Sequence, residues 1–200
     1  LIHSYTSPIM ADRHDRPLHS RFVRVSDSKA GILGQGTFGT VFLCIDIESK
    51  SIVAVMMQEI PNGCAARELA MFKTLETHPH QNIIKMFHHF HSTVGTMQYV
   101  NFVVELASTD LWQHWRHPLR QSGLQDIKLS ASLLRDAAKA LHHFHDTLRV
   151  KLADPSPKNF LLYPGDIVKL TDFGWSQCAD SFVYRDPLAT MVVRTPEAIL

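Results

Sequence analysis

Three glycines, Gly34, Gly36 and Gly39 in the run GQGTFGTV, fall between two stretches patterned as β-strands. A glycine-rich turn lets backbone N–H groups approach phosphate oxygens without side-chain clash. The same glycines also suit a tight hairpin that holds no ligand. The segment just after the turn constrains the fold most. A dinucleotide-binding βαβ unit needs a helix there. Here TVFLCIDI is a strand pattern, and after the turn ESKS comes another, SIVAVMMQEI. The residues therefore predict an antiparallel meander of three strands.

Beyond the Pro61–Asn62–Gly63 turn, CAARELAMFKTLE predicts a helix with Ala66, Leu69, Ala70, Phe72 and Leu75 on one broad apolar face. KMFHHFHS and YVNFVVEL read as two further strands. After Ser108 the pattern turns helical. TDLWQHWRHPL is a short helix capped by Ser108 or Thr109. Residues 128–148 form the best helix in the chain, with Leu129, Leu133, Ala137, Ala140, Leu141 and Phe144 at three-to-four spacing. Residues 149–200 read as short strands and loops. Residues 1–28 mix His, Arg, Asp and Ser without a period, and are expected to be a disordered polar arm.

Bulk properties bound the function. A hydrophobic content of 45% and a charged content of 20% over 200 residues are those of a globular protein. The net charge of +1 gives no electrostatic reason to expect nucleic acid or a membrane surface as partner. No apolar run approaches a membrane span, and residues 1–9 lack the pattern of a signal peptide. Cys44, Cys64 and Cys178 are scattered, which suits a reducing compartment, cytoplasmic or nuclear. The histidine clusters 88–91 and 142–145 lack supporting cysteine spacing and read as surface residues rather than zinc ligands. Trp112 and Trp115 read as packing residues.

The chemistry lies downstream. Asp154 precedes Asn159 by five residues in DPSPKN, Asp172–Phe173–Gly174 follows, and Thr195–Pro196–Glu197 comes later. A carboxylate can orient an attacking hydroxyl, while an amide and a second carboxylate can hold a divalent metal against phosphates. With the glycine-rich turn, four such fragments stand in one order.

From about Ser26 to Leu200 the chain resembles the eukaryotic protein kinases. The resemblance rests on the glycine-rich loop, VAVM in place of VAIK, a helix with Glu68, a hinge at 105–107, a degraded HRD loop, DFG, and TPE in place of APE. NGCAARELAMFKTL, His80–Gln81–Asn82–Ile83–Ile84 and the run from Thr190 to Glu197 are similar to segments of the cyclin-dependent kinases and point to that (CMGC) branch. The resemblance implies an α+β, protein-kinase-like bilobal fold. Its small antiparallel-sheet lobe would span 29–107, and a truncated, mainly helical large lobe 108–200. It also implies roles. Gly34, Gly36, Gly39 and Val41 would form the loop and wall over a nucleotide, and Ala54 the ceiling above the adenine. Glu105 to Ala107 would supply hinge backbone, and Asp110 a ribose-facing acid. Asp154 would be the catalytic carboxylate, and Asn159 and Asp172 the magnesium ligands.

Departures from the family pattern set the functional expectation. Met56 stands where the family places the lysine that holds the α- and β-phosphates and pairs with the helix glutamate. A charge pair near 4 Å at an effective dielectric of about 20 is worth roughly 4 kcal/mol. At about 1.4 kcal/mol per decade, its loss removes two to three orders of magnitude in rate. No lysine occurs in GTFGTVFLCI to replace it. Glu68, without that partner, is expected to face solvent or an arginine. The HRD position reads Leu152–Ala153–Asp154, in which Leu152 is expected to keep apolar packing against Phe173 and Phe72. Arg185 occupies the usual phosphothreonine position, so both the phosphate and the arginine that receives it are gone. Ser156 replaces a lysine near the transferred phosphate. The expectation is a catalytically impaired, pseudokinase-like protein with weak or vestigial ATP and Mg binding. It would act through a protein partner or substrate, a cyclin-like protein or a second kinase among them. The alternatives are a serine/threonine kinase that retains phosphotransfer, and a gene fragment without function of its own.

Overall fold

A computed structural model of the chain describes residues 18–26, 29–36, 39–60, 63–117, 124–152 and 155–178. Asp154, Ala153, Arg185 and the 190–197 segment lie outside the described residues. The chain forms two compact units. One comprises residues up to Asn62 together with Phe87–Val104, and the other Gly63–Met86 together with the chain from Glu105 onward.

The first unit is a six-stranded sheet. The expected meander is present as β2 (Ile32–Gly36), β3 (Gly39–Asp46) and β4 (Ser51–Glu59), joined by β5 (Met86–Val94) and β6 (Met97–Val104). With β1 at Phe22–Arg24, its order is β1-β3-β4-β6-β5, and β2 also pairs with β3. The added strand β1 (Phe22–Arg24) comes from the stretch expected to be a disordered arm, and runs antiparallel to β3, with Val23 opposite Ile45. Its signal is the alternation in RFVRV, which buries Phe22 while Arg21 makes a two-pronged contact with Asp46 at 2.8 and 2.7 Å. Strand alternation then separates two faces. Phe22, Phe42, Cys44, Val53, Val55, Met57, Phe90, Tyr99 and Val103 form the core on one side. The opposite face carries Val41, Met56 and Phe102 as one cross-strand row, and Leu43, Ala54 and Val104 as the next.

The second unit contains α1 (Cys64–Thr77), followed by the segment 80–84, which docks on the strand Ile167–Leu170. The Asn82 side chain donates to Val168 O at 2.8 Å, Leu170 N–H to Asn82 O at 2.9 Å and Ile84 N–H to Leu170 O at 3.0 Å. The buried stripe of α1 is Cys64, Ala65, Glu68, Met71, Phe72 and Leu75, so the expected face is rotated; Ala66 and Ala70 are exposed. The short helix α2 (Leu111–Arg116) follows β7 (Thr109–Asp110). Its cap is Asp110, not Ser108 or Thr109, and Asp110 accepts the Gln113 N–H at 2.8 Å.

The long helix α3 (Leu124–His142) begins four residues earlier than expected and ends in a π-turn at His143–Thr147. Its stripe of Leu133, Ala137, Ala140 and Phe144 is buried as expected. A one-turn 3₁₀ segment (Pro157–Asn159) leads into the hairpin β9 (Phe160–Tyr163) and β10 (Ile167–Leu170). Two short strands, β8 (Val150–Lys151) and β11 (Gln177–Cys178), pair antiparallel. No described helix is long and apolar enough to cross a membrane.

Candidate functional site

In the first unit the glycines occupy the β2–β3 hairpin, with Gly34 opposite Val41 and Gly36 opposite Gly39. They are not equivalent. A Cβ at Gly39 would collide with the Met57 carbonyl of the neighbouring strand, so glycine is required there by close backbone approach. At Gly34 and Gly36 a Cβ would meet nothing within 4 Å among the described residues. Gly39 thus serves the sheet, whereas no such close approach among the described residues fixes glycine at positions 34 and 36.

Met57, at the next position of the Met56–Met57 pair, belongs to the core, and Met56 stands on the other face with Val41 as its direct neighbour on β3. Ala54, buried at 6% exposure, lies two residues away on the same face. The lysine position of the resemblance is thus a half-buried thioether in a row of apolar side chains.

In the second unit Glu68 is fully buried and its Oε1 accepts the backbone N–H of Phe173 at 3.4 Å. The expectation that it faces solvent is corrected. The sequence signal was its spacing, three residues after Ala65, four before Phe72 and seven before Leu75, in the middle of the buried stripe. The arginine beside it, Arg67, turns to Gly174, donating from Nε to the carbonyl at 2.7 Å. Phe173 packs edge-on against Phe72 at 5.3 Å between ring centroids, and stacks on Phe144 at 5.2 Å. Phe144, a partner the sequence reading missed, sits in the π-turn.

Gly174 has no room for a larger residue without movement. A Cβ there would lie 3.2 Å from Cys64 Cβ, 3.6 Å from Glu68 Oε2 and 3.7 Å from Asp172 Oδ1. The carboxylates of Glu68 and Asp172 thus border the same point of backbone. Asp172 is in the left-handed region at φ 63, a conformation aspartate tolerates better than most residues. Asn159 and Asp172 come together because β9 and β10 are a hairpin. Its last rung, Phe160 opposite Leu170, is followed by a hydrogen bond from Thr171 N–H to Asn159 O at 2.9 Å. An amide oxygen and a carboxylate are the hard oxygen donors magnesium prefers. Among the described residues no group of three His, Cys, Asp or Glu side chains could hold a metal ion. Ser156, at the lysine position, is buried and its hydroxyl accepts the Lys158 N–H at 3.4 Å.

The hinge residues are held by groups the sequence reading did not single out. The Glu105 carboxylate accepts Lys169 Nζ at 2.8 and 2.6 Å and the Lys85 N–H at 2.8 Å. The Glu105 carbonyl accepts the Tyr163 hydroxyl at 3.3 Å. Burial, and then the Glu105 charge, push the Tyr163 phenol above its ordinary range, so it remains a donor. Lys169 alternates with Leu170 on β10, and this could have flagged a lysine on the hinge side of the strand. Ala107 is half-buried and Ser108 N–H bonds Leu162 O at 2.8 Å, which lays this segment along β9. The Asp110 carboxylate, assigned to a ribose, is taken up by Gln113, whose backbone N–H and Nε2 both donate to it at 2.8 Å.

The comparison with known families settles the class: the protein kinase domain matches residues 28–200. The chain belongs to the protein kinase family. Among similar proteins are Aurora kinase B-A of Xenopus laevis, 30% identical over 173 residues, and Aurora kinase B of Danio rerio, 28% identical over 191. A probable cell division protein kinase of Encephalitozoon cuniculi is 27% identical over 176 residues. These alignments cover 84%, 90% and 84% of this kinase domain chain, which in turn spans 45%, 56% and 61% of the three relatives. The α+β, protein-kinase-like fold expected from the sequence is borne out.

Proposed function

We propose that this protein-kinase-family chain binds ATP with magnesium weakly and is impaired in phosphotransfer, acting chiefly through a protein partner. The observation that carries the reading is Met56. Its place on the sheet face beside Val41 and Ala54 holds a neutral side chain at the position the family gives to a phosphate-binding cation. On this reading the family's lobes run over 29–107 and 108–200. Gly34, Gly36, Val41, Ala54, Glu105 and Ala107 contact the nucleotide, and Asn159 and Asp172 hold magnesium, which neutralises phosphate charge. Asp110 would contribute through whatever acceptor capacity its cap leaves. Similarities at 62–75, 80–84 and 190–197 support a place in the cyclin-dependent-kinase-related branch.

A second reading, a serine/threonine kinase with retained phosphotransfer, is favoured by one observation: Phe173 is seated against Phe72 and Phe144, with its N–H held by Glu68. Two measurements separate the readings. Thermal-shift titration with Mg–ATP should show a small upward shift, and labelled-phosphate transfer to a generic basic protein acceptor should stay at background. Transfer at rates usual for the family, about 1–100 per second, sinks the first reading. The absence of any thermal shift removes ATP from both.

A further inference from the structure

We infer that the surface built by Trp112, Arg116 and Lys158, bordered by His114 and His117, binds a short acidic polypeptide segment. Helix α2 is pinned from below by Leu111, 1% exposed, which leaves Trp112 at the surface with 37% exposure. The sequence reading made Trp112 a packing residue. It instead collects cations from two elements. The Arg116 guanidinium lies 5.2 Å from its ring centroid, and Lys158 Nζ, from the 3₁₀ turn, lies 6.0 Å away. Among the described residues neither cation forms an ion pair.

Beside them is a cavity of about 450 Å³, lined by Thr109, Trp112, Gln113, His114, Arg116 and His117. None of these is acidic. The nearest acid in sequence, Asp110, is occupied by both nitrogens of Gln113. His114 Nε2 has no hydrogen-bond partner among the described residues. The site thus presents fixed positive charge and an aromatic platform, with no acidic side chain among the described residues that line it.

A peptide that carries carboxylates meets both demands. An arginine fork takes a carboxylate in two parallel bonds, and the indole accepts the aliphatic or peptide portion of the same segment. Nucleic acid is disfavoured because the chain carries a net charge of only +1, too little for a continuous basic track. The assignment of that segment to a substrate or docking partner rests on the kinase reading, because Lys158 belongs to the turn just after position 154. The binding itself does not depend on that reading.

The test uses the full chain and a fluorescent ten-residue glutamate-rich peptide, followed by anisotropy at low salt. A lysine-rich peptide of equal length and a single-stranded oligonucleotide of equal charge serve as comparisons. Selective binding of the acidic peptide is expected, weakening as salt rises. Arg116→Glu with Lys158→Glu should weaken it at least tenfold, and Trp112→Ala at least threefold. Arg116→Gln with Lys158→Gln guards against a folding artefact and should weaken it at least fivefold, with an unchanged circular-dichroism melt. Undiminished binding by the glutamine pair, equal binding of acidic and basic peptides, or an oligonucleotide bound as tightly through the same residues overturns the inference. The Mg–ATP thermal shift, measured on the same variants, reports separately on the kinase reading and is expected to match the parent.

Discussion

Glu68 of α1 holds the backbone N–H of Phe173 at 3.4 Å, across 105 positions of sequence, with its carboxylate sealed from solvent. A buried donor left unsatisfied costs about 1–3 kcal/mol. Glu68→Ala should therefore lower unfolding stability by about that amount in urea. Glu68→Gln keeps an acceptor oxygen, and should cost less than half as much. Equal losses from both substitutions would mean that packing, and not the hydrogen bond, is what Glu68 supplies.

Met56 is half-buried in a row between Val41 and Phe102. A lysine can run its stem along the same apolar row and release its ammonium at the end. Met56→Lys is expected to leave stability within about 1 kcal/mol of the parent. It should tighten Mg–ATP binding at least ~5-fold, roughly 1 kcal/mol, by thermal-shift titration. Equal affinity in both proteins would falsify the assignment of this residue as the missing cation.

The two kinds of glycine in the hairpin predict different costs. Gly39→Ala pushes a methyl into the Met57 carbonyl and should destabilise the sheet unit by about 1–3 kcal/mol. Gly34→Ala meets open space and should cost less than about 0.5 kcal/mol, as surface substitutions do. Chemical denaturation of the two variants gives the comparison. A Gly34→Ala cost equal to that of Gly39→Ala would show that the hairpin is uniformly packed.

Asp46 is held below the ordinary carboxylate range, first by its hydrogen bonds from Arg21, then by Ser49 and the backbone N–H groups of Glu48 and Ser49. A carboxylate depressed in the folded state stabilises above its unfolded pKa of about 3.9, and loses that contribution as pH falls through the lower folded value. The sheet unit should lose stability progressively below about pH 4. Asp46→Asn should be less stable at pH 7 and show a flatter acid limb in denaturation curves taken from pH 7 to pH 2. Parallel limbs for the two proteins would remove Asp46 as the source.

Burial pushes the Cys44 thiol up to about 12, with Arg24 opposing weakly. Only the thiolate is nucleophilic. At pH 8, mass-spectrometric mapping after iodoacetamide treatment should find Cys44 unmodified in the native protein and modified after unfolding. Rapid native labelling would mean that β3 opens readily.

The meander, α1, α2 and the long helix were legible because period two and period 3.6 survive in their apolar residues. Two features were hidden for physical reasons. The alternation that marks β1 spans only RFVRV, too short to stand out from the polar stretch around it, and its pairing with β3 is secured by Arg21 and Asp46, 25 residues apart. The buried stripe of α1 was misjudged because a glutamate occupies its centre, and a charge on an apolar face reads as solvent-facing until its partner is known. Likewise the Lys169–Glu105 contact joins residues 64 apart, each unremarkable in its own segment. The family's site positions were readable as motifs. What each does locally, such as Asp110 capping a helix and Gly39 clearing a carbonyl, required the neighbouring strands and turns.

The bond between Glu68 and Phe173 bears on how such a sequence can decay. A side chain that holds a folded turn together is kept for the sake of folding, whatever becomes of turnover, whereas a cation at position 56 answers only to phosphate. Where turnover is no longer needed, random change would therefore erase a lysine at that position long before the glutamate. On the proposed reading, counting surviving family residues would overstate competence, because the most durable of them are those whose loss the fold cannot absorb.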